Sequence, residues 1–333
     1  MYFDQPKIVP MQCGKRDTTK KDHWEKLDIS EYKISKPTVL CFGGNRTFDP
    51  KDANAFCKSA EELLLNNSVS KDIDRNDYDL VGFCYGHYPL KNQTEISRLE
   101  NEEAQIIEKR LLRPLYLNKN GKPLSVEKTE KNFNLLTVFC HSYGSIAFDK
   151  VIHYAYENMT ECGFSYEQIS KIMSQIICVS YAPRSLIGGV SSIQIISGCD
   201  GYDIPENASK KMRNTYFSRF YKYFDTKNMW GNGTQIANKN TLGVYTTNMT
   251  NEEFMNDHCL QVLMDGGNDK VRYSSENAKS IFYVAQQSLA LSVKNSVENF
   301  KTKNFQRKPD INKLYSKAKY ILGKRQIDLE HEM

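Results

Sequence analysis

The chain runs as a succession of short apolar stretches separated by segments with helical spacing. The first clear one, Thr38-Val39-Leu40-Cys41-Phe42, ends on Gly43-Gly44-Asn45 and reads as a buried strand. Asp49-Pro50 then opens a segment with Phe56, Ala60, Leu63 and Leu64 at helical spacing. Residues 78–84 form the next strand pattern. Residues 98–113, with Leu99, Ile106, Ile107, Leu111 and Leu112, predict a second helix that ends where Pro114 cannot continue it. Residues 135–140 are a third strand and 146–156 a third helix. Residues 176–181, 193–197 and 242–246 read as further strands, the first two separated by Pro183 and Gly188-Gly189. Ala278, Ile281, Phe282, Ala285 and Leu289 mark a long C-terminal helix.

Strands alternating with helical patterns predict an α/β protein with a doubly wound, mostly parallel sheet, because parallel neighbours need crossover helices. The main domain is placed at 37–300. Residues 1–36 are polar and read as edge strands or an arm, and 301–333 as a lysine-rich, exposed tail. With 333 residues and 40% hydrophobic content the chain has enough apolar material for a large core.

Charge narrows the partners. The 45 basic residues against 40 acidic ones give a net charge of +5, short of the strongly basic signature of a nucleic-acid-binding domain, so no nucleic acid is expected. The nine cysteines are odd in number and form no CxxC pair, which points to neither a disulfide framework nor a zinc site. Cys41, Cys84, Cys140 and Cys178 lie inside apolar runs and read as small buried thiols of a protein in a reducing compartment. There is no basic region followed by an apolar leader, and no apolar run of about 18 residues. No transmembrane segment and a cytoplasmic location are therefore expected, although secretion without a cleaved signal would leave no mark in the sequence.

The most informative stretch is residues 135–147, LLTVFCHSYGSIA, where Ser142 stands between a buried strand pattern and an apolar helix pattern. It resembles the nucleophile elbow of the α/β-hydrolase superfamily. There a sharp strand-to-helix turn holds a serine with its hydroxyl exposed above the sheet, between small residues two before and two after it. Gly144 fits the second small position, and Cys140 stands where the family usually has glycine.

The resemblance implies an α/β-hydrolase fold, a chain order of serine, acid and histidine, and an oxyanion hole. His258, in Asn256-Asp257-His258-Cys259 beyond the last strand pattern, is the implied base, since His153 lies within the helix after the elbow. The acid is Asp200 or Asp203, both in the loop after residues 193–197, with Asp200 preferred because it follows the strand more closely. Its role is to hold the imidazole tautomer and stabilise the imidazolium. The oxyanion donors are the backbone N–H of Tyr143 and one from Gly44-Asn45. Tyr85-Gly86-His87 follows a strand on the same sheet edge and is placed at the pocket.

Residues 206–236 include the basic, aromatic stretch 210–224. It reads either as an ordinary covering helix or as a helical cap that meets an acyl chain or, through peripheral contact, an anionic lipid surface. The implied activity is that of an esterase, lipase or thioesterase forming an acyl-enzyme on Ser142 from a small-molecule or lipid acyl substrate, with no cofactor and no metal. A non-catalytic binding or scaffold protein on the same fold, and an acyltransferase using the same residues, are the alternatives.

Overall fold

Apolar runs too short for helices and bounded by glycine and proline have one stable outlet, a sheet covered on both faces. The computed structural model describes residues 12–17, 23–44, 47, 49–65, 72–85, 93–181, 183, 187–197, 235–237, 241–246, 276–309, 313 and 317. Among them nine strands form one mixed, mostly parallel sheet: β1 (Gln12–Asp17), β2 (His23–Leu27), β3 (Thr38–Phe42), β4 (Asp79–Cys84), β5 (Leu136–His141), β6 (Ile177–Tyr181), β7 (Ser191–Ser197), β8 (Gln235–Ala237) and β9 (Thr241–Thr246). Their order across the sheet is β2-β1-β4-β3-β5-β6-β7-β9-β8. The six strands from β4 to β9 in that order run parallel, while β1 and β2 at one side and β8 at the other are antiparallel to their neighbours.

Helix α1 (Pro50–Leu65) and the long α7 (Glu276–Thr302) cover one face of the sheet. On that face Phe56 of α1 stacks on Phe139 of β5 at 5.1 Å, and Thr137 of β5 hydrogen-bonds Ser292 of α7 at 2.8 Å. The other face carries α5 (Gly144–Glu161), flanked by α2 (Gln93–Ile107) and α6 (Tyr166–Met173), with α3 (Arg113–Tyr116) and α4 (Val126–Asn134) beyond. Phe148, Val151, Ile152, Ala155 and Met159 of α5 join Leu40, Phe42, Val81, Phe83, Val138 and Cys140 of the strands in one buried cluster. Each of the Val, Leu, Ile, Phe and Met side chains among them contributes about 1.5–3 kcal/mol on leaving water, before entropy is counted. The strand interiors from β3 to β6 are buried on both faces, which is why they read as unbroken apolar runs rather than alternating ones.

The boundaries of β3 to β7 and β9 and the start of α1 follow the hydrophobic pattern closely, and three features depart from it. The helix of residues 98–113 does not stop at Pro114: a π turn, Glu108–Leu112, leads into α3, which carries Pro114 in its first turn. The wider coil accommodates a ring that would otherwise clash with the carbonyl four residues back, and proline has no N–H to lose there. Buried Glu108 secures the bend by accepting bonds from Arg113, at 2.8 Å, and from the Tyr116 hydroxyl. Secondly, α5 and α7 run on to Glu161 and Thr302, beyond the pattern that ended at 156 and at Leu289, while residues 12–17 and 23–27 form β1 and β2, the strand reading of the first 36 residues, with β2 at the sheet edge. Thirdly, Lys308 in the tail is buried: its amine donates to the Leu136 carbonyl, while Gln306 pairs with Asn299 of α7. Its neighbours from 301 to 304 are exposed, as expected.

Helices α4 and α6 were not among the elements expected from sequence, although Ile169, Ile172 and Met173 give α6 a short buried apolar stripe; each begins with a serine cap, Ser125 and Ser165. The Ser165-x-x-Gln168 capping box is a local signal for such a start. The residues 206–234 assigned to a cap lie outside the described residues, and Gln235 and Ile236 at its end belong to strand β8 instead.

Candidate active site

A doubly wound sheet leaves a crevice at the carboxyl ends of two adjacent strands whose following helices cross to opposite faces. Here those strands are β3, followed by α1 on one face, and β5, followed by α5 on the other. The two sequence features singled out for chemistry, Gly43-Gly44 and Ser142, are the residues that directly leave these strands. Only the strand order puts them side by side.

Ser142 has a backbone φ of +49°, in the left-handed region that costs a residue with a Cβ on the order of 1–3 kcal/mol. Hydrogen bonds on both sides hold it there. Its N–H donates to the Tyr181 carbonyl of β6 at 3.0 Å, and its own carbonyl accepts from the Ser145 N–H at 3.1 Å and the Ser145 hydroxyl at 2.7 Å. The helix that follows has no side-chain cap at Tyr143, so its first N–H groups face the turn.

Gly144 has no room for a side chain. A Cβ there would stand 2.0 Å from the Phe42 carbonyl oxygen and 2.6 Å from that of Gly43. The absence of a side chain thus lets the start of α5 press against the end of β3. Gly44 is constrained as well: a Cβ on it would lie 3.1 Å from His141 Nδ1 and 3.5 Å from Ser142 Cβ. The backbone of Gly44 therefore borders the serine. A second set of bonds ties this loop down, since Thr47 N–H donates to the Gly44 carbonyl at 3.1 Å and Tyr85 N–H to the Thr47 carbonyl at 2.9 Å.

The surrounding side chains are packed and polarised. His141 stacks between Phe56, at 6.3 Å, and Tyr181, at 5.8 Å. Tyr143 points to α2, where its hydroxyl donates to Glu100 at 2.6 Å, and the other oxygen of Glu100 pairs with Lys150 at 2.7 Å. Tyr85 meets the Tyr143 ring edge-on at 5.5 Å. Burial, then the Glu100 charge, pushes the Tyr143 phenol far above its usual range and keeps it a donor. Burial, then the neighbouring Cys178 thiol, pushes the Cys140 thiol well up, so it stays protonated and inert two residues before Ser142. Cys84, at the end of β4, is raised to about 12 by burial first and Asp49 second.

Compared with protein-family models and with curated proteins, the chain matches none.

Of the site residues expected from sequence, Ser142, Tyr143 and Gly44 come together at one sheet edge. His258, Asp200, Asp203 and Asn45 lie outside the described residues, as do Gly86 and His87. The strands that lead toward the acid and the histidine are described: β7 ends at Ser197, three residues before Asp200, and β9 at Thr246, both at the carboxyl edge that also carries Ser142. His153 faces solvent on α5 and pairs with Glu157, away from the turn, as its place in the helix indicated. One expectation needs correction: Ser142 is buried, 3% exposed, where the resemblance implied a residue open to solvent above the sheet.

Sequence reasoning missed Ser145 and Glu100. The first has a local signal, a serine three residues after the turn that can bond back to it. The second, 42 positions before Ser142, has none. Among the described residues, no three His, Cys, Asp or Glu side chains gather to hold a metal ion, and no helix is long and apolar enough to cross a membrane.

Proposed function

We propose that this protein is a serine hydrolase of the α/β-hydrolase type that cleaves a carboxylic ester, thioester or lipid acyl bond through an acyl-enzyme on Ser142. The observation that carries the reading is the turn itself: a non-glycine residue at φ +49° between a buried strand and a helix, with Gly144 pressed against Phe42 and Gly44 beside the serine. Strain of this kind persists only where the surroundings over-determine it, and it gathers at functional sites. The position at the crevice of the sheet supports the same reading.

In the proposed chemistry His258 takes the proton of the Ser142 hydroxyl as its oxygen attacks the acyl carbonyl. The N–H groups of Tyr143 and of Gly44 or Asn45 receive the oxyanion, aided by the positive end of α5. The imidazolium returns the proton to the leaving alcohol or thiol, and water repeats the sequence to release the acid. Asp200, or Asp203, holds the imidazole.

A fluorophosphonate probe tests the proposal. The wild-type chain is expected to be labelled at Ser142, located by peptide mass spectrometry, and Ser142→Ala to lose the label while unfolding at a similar urea concentration. An unlabelled wild type, or label retained in Ser142→Ala, overturns the assignment.

A further inference from the structure

The structure braces one peptide unit, that joining Ser142 to Tyr143, from two directions. In a planar trans peptide the carbonyl and the following N–H point opposite ways. The Ser142 carbonyl is held in the first turn of α5 by the Ser145 N–H at 3.1 Å and, more closely, by the Ser145 hydroxyl at 2.7 Å. Ser145 is fully buried, so its hydroxyl makes this bond away from competing water. Holding the carbonyl toward the helix fixes the peptide plane and turns the Tyr143 N–H the opposite way, while the Gly44 backbone borders Ser142.

The second brace comes from outside the turn. The Tyr143 hydroxyl donates to Glu100 at 2.6 Å, and Glu100 is itself anchored by Lys150 at 2.7 Å, which also donates to Asn101 at 2.9 Å. Glu100 is 8% exposed, so removing the phenol would take a hydrogen bond from one oxygen of a mostly buried carboxylate that keeps Lys150 on the other. The edge-on contact of Tyr85 with Tyr143, and the Tyr85 N–H on Thr47, link this brace to the loop that carries Gly44. We infer that Ser145, through the Ser142 carbonyl, and Glu100, through the Tyr143 phenol, are positioning residues that aim the Tyr143 N–H as an oxyanion donor. The inference rests on the serine-hydrolase reading. Neither residue touches the reacting atoms.

The test is the turnover of p-nitrophenyl butyrate by the full chain and by Ser145→Ala, Ser145→Thr, Tyr143→Phe and the Ser145→Ala/Tyr143→Phe double variant, with urea stability measured alongside. Tyr143→Phe keeps the ring and the backbone N–H and is the milder change if Ser145→Ala folds poorly. Each single removal is expected to lower kcat about tenfold or more with KM little changed, because a misplacement of ~1 Å can cost on the order of 100-fold and acts on the transition state. Ser145→Thr, which keeps the hydroxyl, is expected to restore most of the rate. Because both braces act on one N–H, the double variant is expected to fall about as far as the worse single variant. An unchanged kcat in both single variants, or losses that multiply in the double, overturns the positioning role while leaving the hydrolase reading in place. A wild type that neither turns over the ester nor takes a fluorophosphonate at Ser142 overturns both.

Discussion

Replacing Gly144 by alanine tests the turn after β5 at its tightest point. The added Cβ would stand 2.0 Å from the Phe42 carbonyl oxygen, 2.4 Å from the carbonyl carbon and 2.6 Å from the Gly43 oxygen, and real Cβ atoms essentially never approach within 3.0 Å. The start of α5 and the end of β3 must therefore separate by at least 1.0 Å (3.0 − 2.0), and both partners are backbone, with no flexible side chain to swing aside. Overpacking of this kind costs about 1–3 kcal/mol, to be read as a lower urea midpoint at constant slope. The displacement falls between the two proposed oxyanion donors, so turnover is expected to drop by on the order of 100-fold as well. Gly163→Ala supplies the control: its φ of +92° makes alanine strained there, but nothing lies within 4 Å of the new Cβ. It is expected to lose about 1 kcal/mol of stability and no activity. A Gly144→Ala protein with wild-type stability and wild-type fluorophosphonate labelling would refute the close approach and, with it, the reading of the turn as an elbow.

Three further outcomes are expected. Ser142→Gly should be more stable than Ser142→Ala by about 1 kcal/mol in urea, since both lack the hydroxyl and only alanine bears the strain at φ +49°; equal midpoints would mean the turn is relaxed. Asp200→Asn should lower ester turnover by orders of magnitude and Asp203→Asn far less, and the reverse ranking would assign the acid to Asp203. Burial holds the Lys308 ammonium well below its unfolded value of 10.5, so between the two values the unfolded chain binds the extra proton and stability rises with pH, reaching its full value above 10.5 and lost as pH falls to the folded value. In urea titrations, wild-type stability relative to Lys308→Met should climb with pH by up to ~1.4 kcal/mol per unit within that window, and a flat difference would mean that the amine is charged in the fold.

Much of the local architecture was legible in the pattern. Strands β3, β4 and β5 are continuous apolar runs because both of their faces are covered, and α1 and α5 show an apolar face because only one of theirs is. The turn at Ser142 was legible for the same reason, being a strand pattern that gives way to a helix pattern within three residues. The helix through Pro114 was not, since a proline normally ends a helix and the π turn that spares it depends on Glu108 finding Arg113 and Tyr116 in a buried setting.

What tertiary structure alone decided is who meets whom at that turn. Nothing in the neighbourhood of Gly144 announces Phe42, 102 positions earlier (144 − 42), nor does anything around Tyr143 announce Glu100 on another helix. Those meetings follow from the order β4-β3-β5, which puts the ends of β3 and β5 side by side and sends their helices to opposite faces. Residue patterning reports how each segment is buried, a local property with a period of two or 3.6 residues. The partner across the crevice is set by the path of the chain between segments, and that path is a property of the whole packed sheet.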